Sequence, residues 1–363
     1  MTQPQRNLAL KPLTTFGVAG TAARAWALGS LGELDAVLEA VASEVSANGG
    51  GPMAPFVLGG GSNVLLARDL DEPLILVRLP GRRLLDDDGT QVLLEIGAGE
   101  VWDEVVRWSL ARGWFGLENL TLIPGLAGAA PWQNIGAYGV EVAERIVAVD
   151  AVDVGSGERR RFRVGDCAFG YRCSFFKSPA GRRWLITSVQ MKLSRQPEPR
   201  TAYGEIQQEL ASLARRDLRP GGEAAIAAVA APSPLQVAAA VASIRRRKLP
   251  DPSVIGNAGS FFKNPIIRLD ELEPLRAAFP DMPAYPVAND ASLAKLSAGW
   301  LIEAAGWKGH REGDAGVSDR HALVLVNHGE ATGKQLLALA RRIQQSVLER
   351  FGVALEPEPV IVT

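Results

Sequence analysis

At 363 residues the chain exceeds what one core of ordinary size accommodates, so two or three domains are expected. Its 39 Lys and Arg against 40 Asp and Glu give a formal net charge of -1, which argues against the basic footprint of a nucleic-acid binder. Met1 to Leu10 has no apolar h-region, and the most apolar window, Ala224 to Ala242, is broken by Pro232-Ser233-Pro234; neither a secretory signal nor a membrane span is expected.

The first helix is predicted after Ser30, with Ser30 as cap, Glu33 at the capping-box position, and Leu31, Leu34, Val37, Leu38 and Val41 on one face. A Gly/Pro-rich loop from Ser46 to Pro55 follows. Two apolar runs, Phe56 to Leu58 and Val64 to Ala67, then enclose Gly59-Gly60-Gly61-Ser62-Asn63. From Leu74 to Leu193, strand-like runs (Leu74–Val77, Val92–Ile96, Ile146–Val154, Leu185–Met191) alternate with turns, around one helix near Val101 to Ala111. Arg195 to Pro199 reads as a linker.

Ser233-Pro234-Leu235-Gln236 combines an N-cap, Pro at the first helical position and a capping-box Gln, opening a helix that runs to about Arg247. The last helix starts at Thr332 with Gln335 completing a box and stops at Gly352; Val353 to Val362 reads as strand. The pattern is that of an α+β protein.

Cys167 and Cys173 make no disulfide framework and suit a reducing, cytoplasmic compartment. Their spacing, and that of His310, His321 and His328, matches no metal pattern, so no metal site is expected.

Several segments carry chemistry-bearing residues. Gly59 to Asn63 could converge backbone N–H groups on a phosphate, or could be a flexible hairpin turn; it is neither a P-loop nor a Rossmann fingerprint. Ile123 to Gly139 is a run of small residues with Trp132, Gln133, Asn134 and Tyr138 inserted, as suits close approach to a flat ligand. Phe169 to Lys177 sets Arg172 among aromatics, where the plain alternative is a strand with Arg snorkelling outward. The cluster Arg245 to Lys248 ends a helix, favourable to its dipole, and could also meet a diphosphate. Ile255 to Pro265 places Ser260 between a Gly-Asn-Ala-Gly run and Phe261-Phe262-Lys263-Asn264. Glu356 and Glu358 lie in a proline-stiffened terminal segment, either a solvated edge or one carboxylate turned inward.

Taken together and in this order, with Thr14-Thr15-Phe16-Gly17 and Lys248 to Pro252 added, these segments closely resemble the UDP-N-acetylenolpyruvoylglucosamine reductase (UDP-N-acetylmuramate dehydrogenase) family, in its longer, three-domain form. The resemblance runs from Asn7 to the C-terminus. It implies a flavin-binding domain pair of the vanillyl-alcohol-oxidase (PCMH) type plus a C-terminal α+β substrate domain, divided as residues 1–79 (with 352–363 packing nearby), 80–232 and 233–351. It also implies FAD as cofactor, NADPH as reductant, and reduction of an enolpyruvyl ether on a UDP-sugar in peptidoglycan precursor synthesis. By the same resemblance Arg172, Ser260 and Glu358 are catalytic. Gly59, Gly60, Gly61, Ser62, Asn63, Pro124, Gly125, Gln133, Asn134, Gly136 and Ala137 hold FAD. Tyr138, Tyr203, Arg245, Lys248, Asn264, Lys308 and His321 touch substrate, His321 standing where some members carry Gln. A cytoplasmic monomer is expected, without nucleic-acid or membrane partners. The competing readings are another flavin oxidoreductase of the same fold and a non-enzymatic nucleotide-sugar or RNA binder.

Overall fold

In the computed structural model, which describes residues 3–47, 54–217, 232–287 and 290–363, Leu74–Val77 is a strand with all four residues buried. It pairs in parallel with Thr21–Leu28 on one side, Ala25 opposite Leu74, and with Phe56–Leu58 on the other. A strand pressed on both faces needs an unbroken apolar run, and Leu-Ile-Leu-Val supplies it. In the chain the helix Leu34–Ala47 lies between Thr21–Leu28 and Phe56–Leu58, the two strands that flank Leu74–Val77. It buries Leu34, Val37, Leu38 and Val41 into the core, each side chain contributing roughly 1.5–3 kcal/mol.

The chain divides into two compact units. The first comprises Met1–Leu8, Ala22–Gly60 and Asp71–Arg246; the second comprises Ala9–Thr21, Gly61–Leu70 and Arg247–Thr363. Beside the parallel strands, the first unit holds a five-stranded antiparallel sheet. Its order is Arg159–Arg163, Ile146–Asp153, Trp184–Ser194, Gln91–Gly97, Arg82–Asp87. One core joins Trp26 and Val37 to Val92, Trp102, Phe162 and Val189. The helix Trp102–Ala111 adds Trp102, Val105, Val106 and Leu110 to it. A smaller cluster packs the helices Gly204–Asp217 and Pro234–Lys248 together through Ile206, Val237, Ala240, Val241 and Ile244.

In the second unit, Leu325–Asn327 lies between Gly256–Asn257 and Ala315–Val317. A three-stranded sheet of Ile266–Arg268, Asp290–Leu296 and Ala284–Val287 stands apart from it. The helix Gly333–Phe351 buries Leu336, Leu339, Ile343, Val347 and Phe351.

Local reasoning about helix ends holds where partners are three residues apart. Thr332 and Gln335 form a reciprocal box, as do Ser233 and Gln236, and Gly352 stops the last helix in the left-handed conformation with φ 69°. Ser30 departs from expectation. Its side chain caps nothing, because the chain enters through a 3-10 turn, Leu31–Glu33, that displaces the helix start to Leu34. Leu31 is accordingly exposed, while Glu33 reaches back to the backbone N–H of Gly29 at 3.3 Å. The terminal strand is shorter than expected: Val360–Val362 pairs in parallel with Val64–Leu66, and ahead of it Pro357 makes an isolated antiparallel bridge to Phe262. Positions 48–53 of the predicted loop and 224–231 of the Ala-rich window lie outside the described residues.

Candidate active site

The strands flanking Gly59 to Asn63 do not pair with each other, so the hairpin alternative fails: Phe56–Leu58 joins Leu74–Val77, whereas Val64–Leu66 joins Val360–Val362. The three glycines differ in what holds them. Gly61 sits at φ 60°, pressed on the Leu13 carbonyl and Thr14, and its C=O accepts from the Thr15 N–H at 3.1 Å. Gly60 approaches Gly125 so closely that an added Cβ would lie 3.1 Å from the Gly125 Cα. Gly59 has no such constraint. A Cβ there would meet only the Leu126 side chain, at 3.7 Å, and the backbone is outside the left-handed region. Among the described residues no contact requires glycine at 59, so the bare backbone leaves room for a group that is not protein. That fits the flavin dinucleotide expected from the resemblance.

Gly125 is fixed by its C=O, which accepts from Trp102 N–H at 3.0 Å at the start of a helix that has no side-chain cap. Beyond it, Asn134 is 1% exposed and left-handed, φ 48°. Its Nδ2 donates to Glu141 Oε2 at 2.7 Å and to the Gly170 C=O at 3.1 Å, and its Oδ1 accepts from Ala143 N–H at 3.1 Å. The Asn134 amide therefore ties this loop to the turn that carries Arg172. Trp132 packs against the core with its C=O held by Ser174 Oγ at 2.6 Å. Pro124 is exposed, whereas Gln133, Gly136 and Ala137 are half-buried.

Arg172 is not on a strand. Gly170 and Cys173 exchange both backbone hydrogen bonds, and Arg172 crosses that turn at φ 51°. A non-glycine residue in this region costs energy that the surroundings must hold, and such residues gather at functional sites. Here its Nη2 donates to the Gly136 C=O at 2.6 Å, and the guanidinium lies 5.4 Å from the Tyr171 ring centroid.

Tyr138, also left-handed at φ 51°, meets Tyr203 edge to face, with ring centroids 5.6 Å apart. Arg245, on the helix Pro234–Lys248, has an Nε that is enclosed and has no hydrogen-bond partner among the described residues. Burial pushes the Arg245 guanidinium down from its ordinary range; Tyr138 and Asp103 oppose that shift and Arg172 adds to it. Two arginines thus share one field, a cationic surrounding suited to an anionic ligand. The neighbouring Arg246 and Arg247 are exposed, and Lys248 is half-buried.

In the second unit, half-buried Ser260 follows Gly259 at φ 70° and precedes Phe261 and Phe262, both within 1% of full burial. The Phe261 N–H donates to the Leu323 C=O at 2.7 Å, and the Phe261 C=O accepts from the Glu358 N–H at 2.8 Å. One step on, Phe262 bridges Pro357, the Lys263 N–H donates to the Glu356 C=O at 2.9 Å, and the Lys263 ammonium pairs with the Glu356 carboxylate. Lys263, to which the sequence assigns no role, thus fastens the Ser260 loop to the terminal segment. On its other side the Glu358 C=O accepts from Asn63 Nδ2 at 3.3 Å. Neither contact has a signature in the sequence.

The remaining expected substrate residues of this unit are also held by neighbours. Asn264 Oδ1 accepts from the Ala298 N–H at 3.0 Å, and Lys308 pairs with Glu303 at 2.9 Å. His321 Nδ1 accepts from the Leu323 N–H at 3.2 Å, which leaves the ring proton on Nε2.

The family described as UDP-N-acetylenolpyruvoylglucosamine reductase, C-terminal domain, matches residues 251–362, and the FAD binding domain family matches residues 38–163. The chain is 48% identical to the UDP-N-acetylenolpyruvoylglucosamine reductase of Chromobacterium violaceum, covering 99% of both chains. It is 46% identical to the protein of that name from Pseudomonas putida, covering 98% of both. A crystal structure of the UDP-N-acetylenolpyruvylglucosamine reductase of Thermus caldophilus aligns over 100% of both chains with TM-score 0.64 and 26% identity. With nearly half its residues shared with such relatives along almost their whole length, and a flavin-binding family matched ahead of the reductase's C-terminal one, the chain belongs to the UDP-N-acetylenolpyruvoylglucosamine reductase family.

Proposed function

We propose that this chain is an NADPH-dependent flavoenzyme that reduces the enolpyruvyl ether of UDP-N-acetylglucosamine to the lactyl ether, giving UDP-N-acetylmuramate for peptidoglycan synthesis. It works as a cytoplasmic monomer, with residues 1–79 and 80–232 serving FAD and 233–351 serving substrate. The observation that supports the reading is the backbone hydrogen bond from the Glu358 N–H to the Phe261 C=O, which joins the Ser260 loop to the segment that bears the glutamate the family's chemistry needs.

Bound FAD supplies the hydride, taken from NADPH, to the terminal vinyl carbon. The former CH2 becomes CH3, and the electron pair of the double bond moves to the α-carbon and into the neighbouring carboxylate. Arg172, fixed by Gly136, stabilises that growing negative charge with charge-assisted hydrogen bonds. Ser260 Oγ–H gives its proton to the α-carbon, and the resulting alkoxide regains one from solvent. A hydroxyl is a weak acid, and an enolate is basic enough to take its proton. Glu358, its backbone held at both N–H and C=O, orients the intermediate.

Gly59 to Asn63 and the stretch from Pro124 to Ala137 embrace the dinucleotide. Tyr138, Tyr203, Arg245 and Lys248 hold the nucleotide and diphosphate, and Asn264, Lys308 and His321 complete the substrate contacts. The purified protein is expected to be yellow, to bleach with NADPH under anaerobic conditions, and to regain its colour on adding the enolpyruvyl UDP-sugar. A colourless protein, or a reduced flavin that the enolpyruvyl UDP-sugar cannot reoxidise, refutes the proposal.

A further inference from the structure

The residue that stands out beyond the family's site is Asn119, a polar side chain 1% exposed in a 3-10 turn, Glu118–Leu120, whose three residues are all buried. The turn is anchored by its neighbours. Trp102 Nε1 donates to the Leu120 C=O at 3.0 Å, Thr121 Oγ1 to the Glu118 C=O at 2.7 Å, and the Gly116 N–H to Glu118 Oε2 at 2.7 Å. From this rigid base, Asn119 Nδ2 donates to two carbonyls at once, those of Tyr138 and Arg200, each at 3.0 Å. A primary amide carries two N–H groups, and both are used.

The two acceptors belong to segments far apart in sequence that carry the paired tyrosines. Tyr138 is held at φ 51°, a conformation its own side chain disfavours. Arg200, whose side chain pairs with Glu144 at 2.6 Å, lies just ahead of Tyr203, and the Tyr203 C=O accepts from the Ile206 N–H at 2.9 Å as the next helix begins. The tyrosine rings meet edge to face at 5.6 Å, and Tyr138 also packs on the small cluster around Ile244.

We infer that Asn119 is a positioning residue for substrate binding: by clamping both backbones at their bases it sets the Tyr138–Tyr203 pair that receives the nucleotide end of the UDP-sugar. The inference rests on the proposed substrate role of those tyrosines. Both N–H groups of the Asn119 amide are spent on backbone carbonyls, so it governs affinity through the tyrosine pair and leaves the chemical steps alone.

The test uses the flavin-loaded full chain. In Asn119→Ser the shorter side chain cannot reach both carbonyls, and the KM for the enolpyruvyl UDP-sugar and its calorimetric Kd are expected to rise together by roughly fivefold, about one net hydrogen bond. Reduction of the flavin by NADPH and kcat at saturating substrate should stay at the level of the unaltered protein. In a Tyr203→Ala background the same substitution should change Kd little, since the element it positions is gone. An unchanged Kd in Asn119→Ser, or an equal loss with and without Tyr203, overturns the inference. If Asn119→Ser does not fold, the isosteric Asn119→Asp is measured by the same criteria. A Tyr203→Ala protein with unaltered Kd overturns it differently, by removing the substrate reading of the tyrosine pair.

Discussion

Two glycines two positions apart in sequence, Gly59 and Gly61, should respond in opposite ways to the same substitution. In Gly61→Ala the new methyl would overlap the Leu13 carbonyl oxygen and lie 2.8 Å from the Thr14 Cα, on a backbone at φ 60°. Left-handed strain costs an L-residue about 1–2 kcal/mol, and forcing a methyl into packed structure costs about 1–3 more, a loss of roughly 2–5 kcal/mol. In Gly59→Ala the methyl makes ordinary contact with Leu126 at 3.7 Å. The folded state tolerates it, and a less flexible unfolded chain even favours folding by about 0.4–1 kcal/mol. On the proposed role of Gly59 in holding FAD, the methyl would intrude on the dinucleotide, and FAD affinity should fall at least about tenfold, near 1.4 kcal/mol. Urea unfolding of the flavin-free proteins and fluorescence titration with FAD separate the two quantities. A Gly61→Ala protein of unaltered stability, or a Gly59→Ala protein that loses stability yet binds FAD as tightly as before, would refute the division into fold-imposed and ligand-imposed glycines.

Ser260→Ala should leave anaerobic flavin reduction by NADPH intact and slow reoxidation by the enolpyruvyl substrate about 10²–10⁴-fold in stopped-flow absorbance; equal slowing of both half-reactions would make Ser260 structural. Thr332→Ala removes the hydroxyl that accepts from the Gln335 N–H, and urea unfolding should show a loss of about 1 kcal/mol. Asp88 is held down to about 2 by the Thr90 hydroxyl and by the Gln91 and Thr90 backbone N–H groups. Because its folded value lies below the unfolded one, its contribution to stability is present above about pH 4 and is lost as pH falls towards 2; Thr90→Val should raise the value in a carboxyl NMR titration. Burial first, and then Asp166, push the Cys167 thiol up to about 12, whereas Cys173 is exposed. A thiol reagent at neutral pH should therefore label Cys173 in the native protein and Cys167 only after unfolding.

The segments proposed to carry the site stand out in the sequence because each combines residue types that a plain loop does not need: glycines with Ser62 and Asn63, Arg172 among aromatics, Ser260 beside Phe261 and Phe262. How they are held does not. Asn134 reads as a ligand amide, yet in the structure it joins its own loop to Gly170, and Asn119 lies unmarked between Glu118 and Leu120 although it anchors two segments. The strand Thr21–Leu28 also went unanticipated, since its alanines carry little of the β-branched signal that marks strands, and the parallel partner Leu74–Val77 supplies the pairing instead.

What the sequence by itself determined is what depends on neighbours in the chain. Thr332 with Gln335 and Ser233 with Gln236 start helices because donor and acceptor are three residues apart, and Gly352 ends one because only glycine takes that conformation without strain. The tertiary structure alone decided which carbonyl each side chain meets: Gly136 for Arg172, Tyr138 and Arg200 for Asn119, and Glu358 for Asn63. The physical reason is that nearly every residue carries the same backbone N–H and C=O, so no residue type marks the partner, and only the path of the chain brings one carbonyl rather than another within reach.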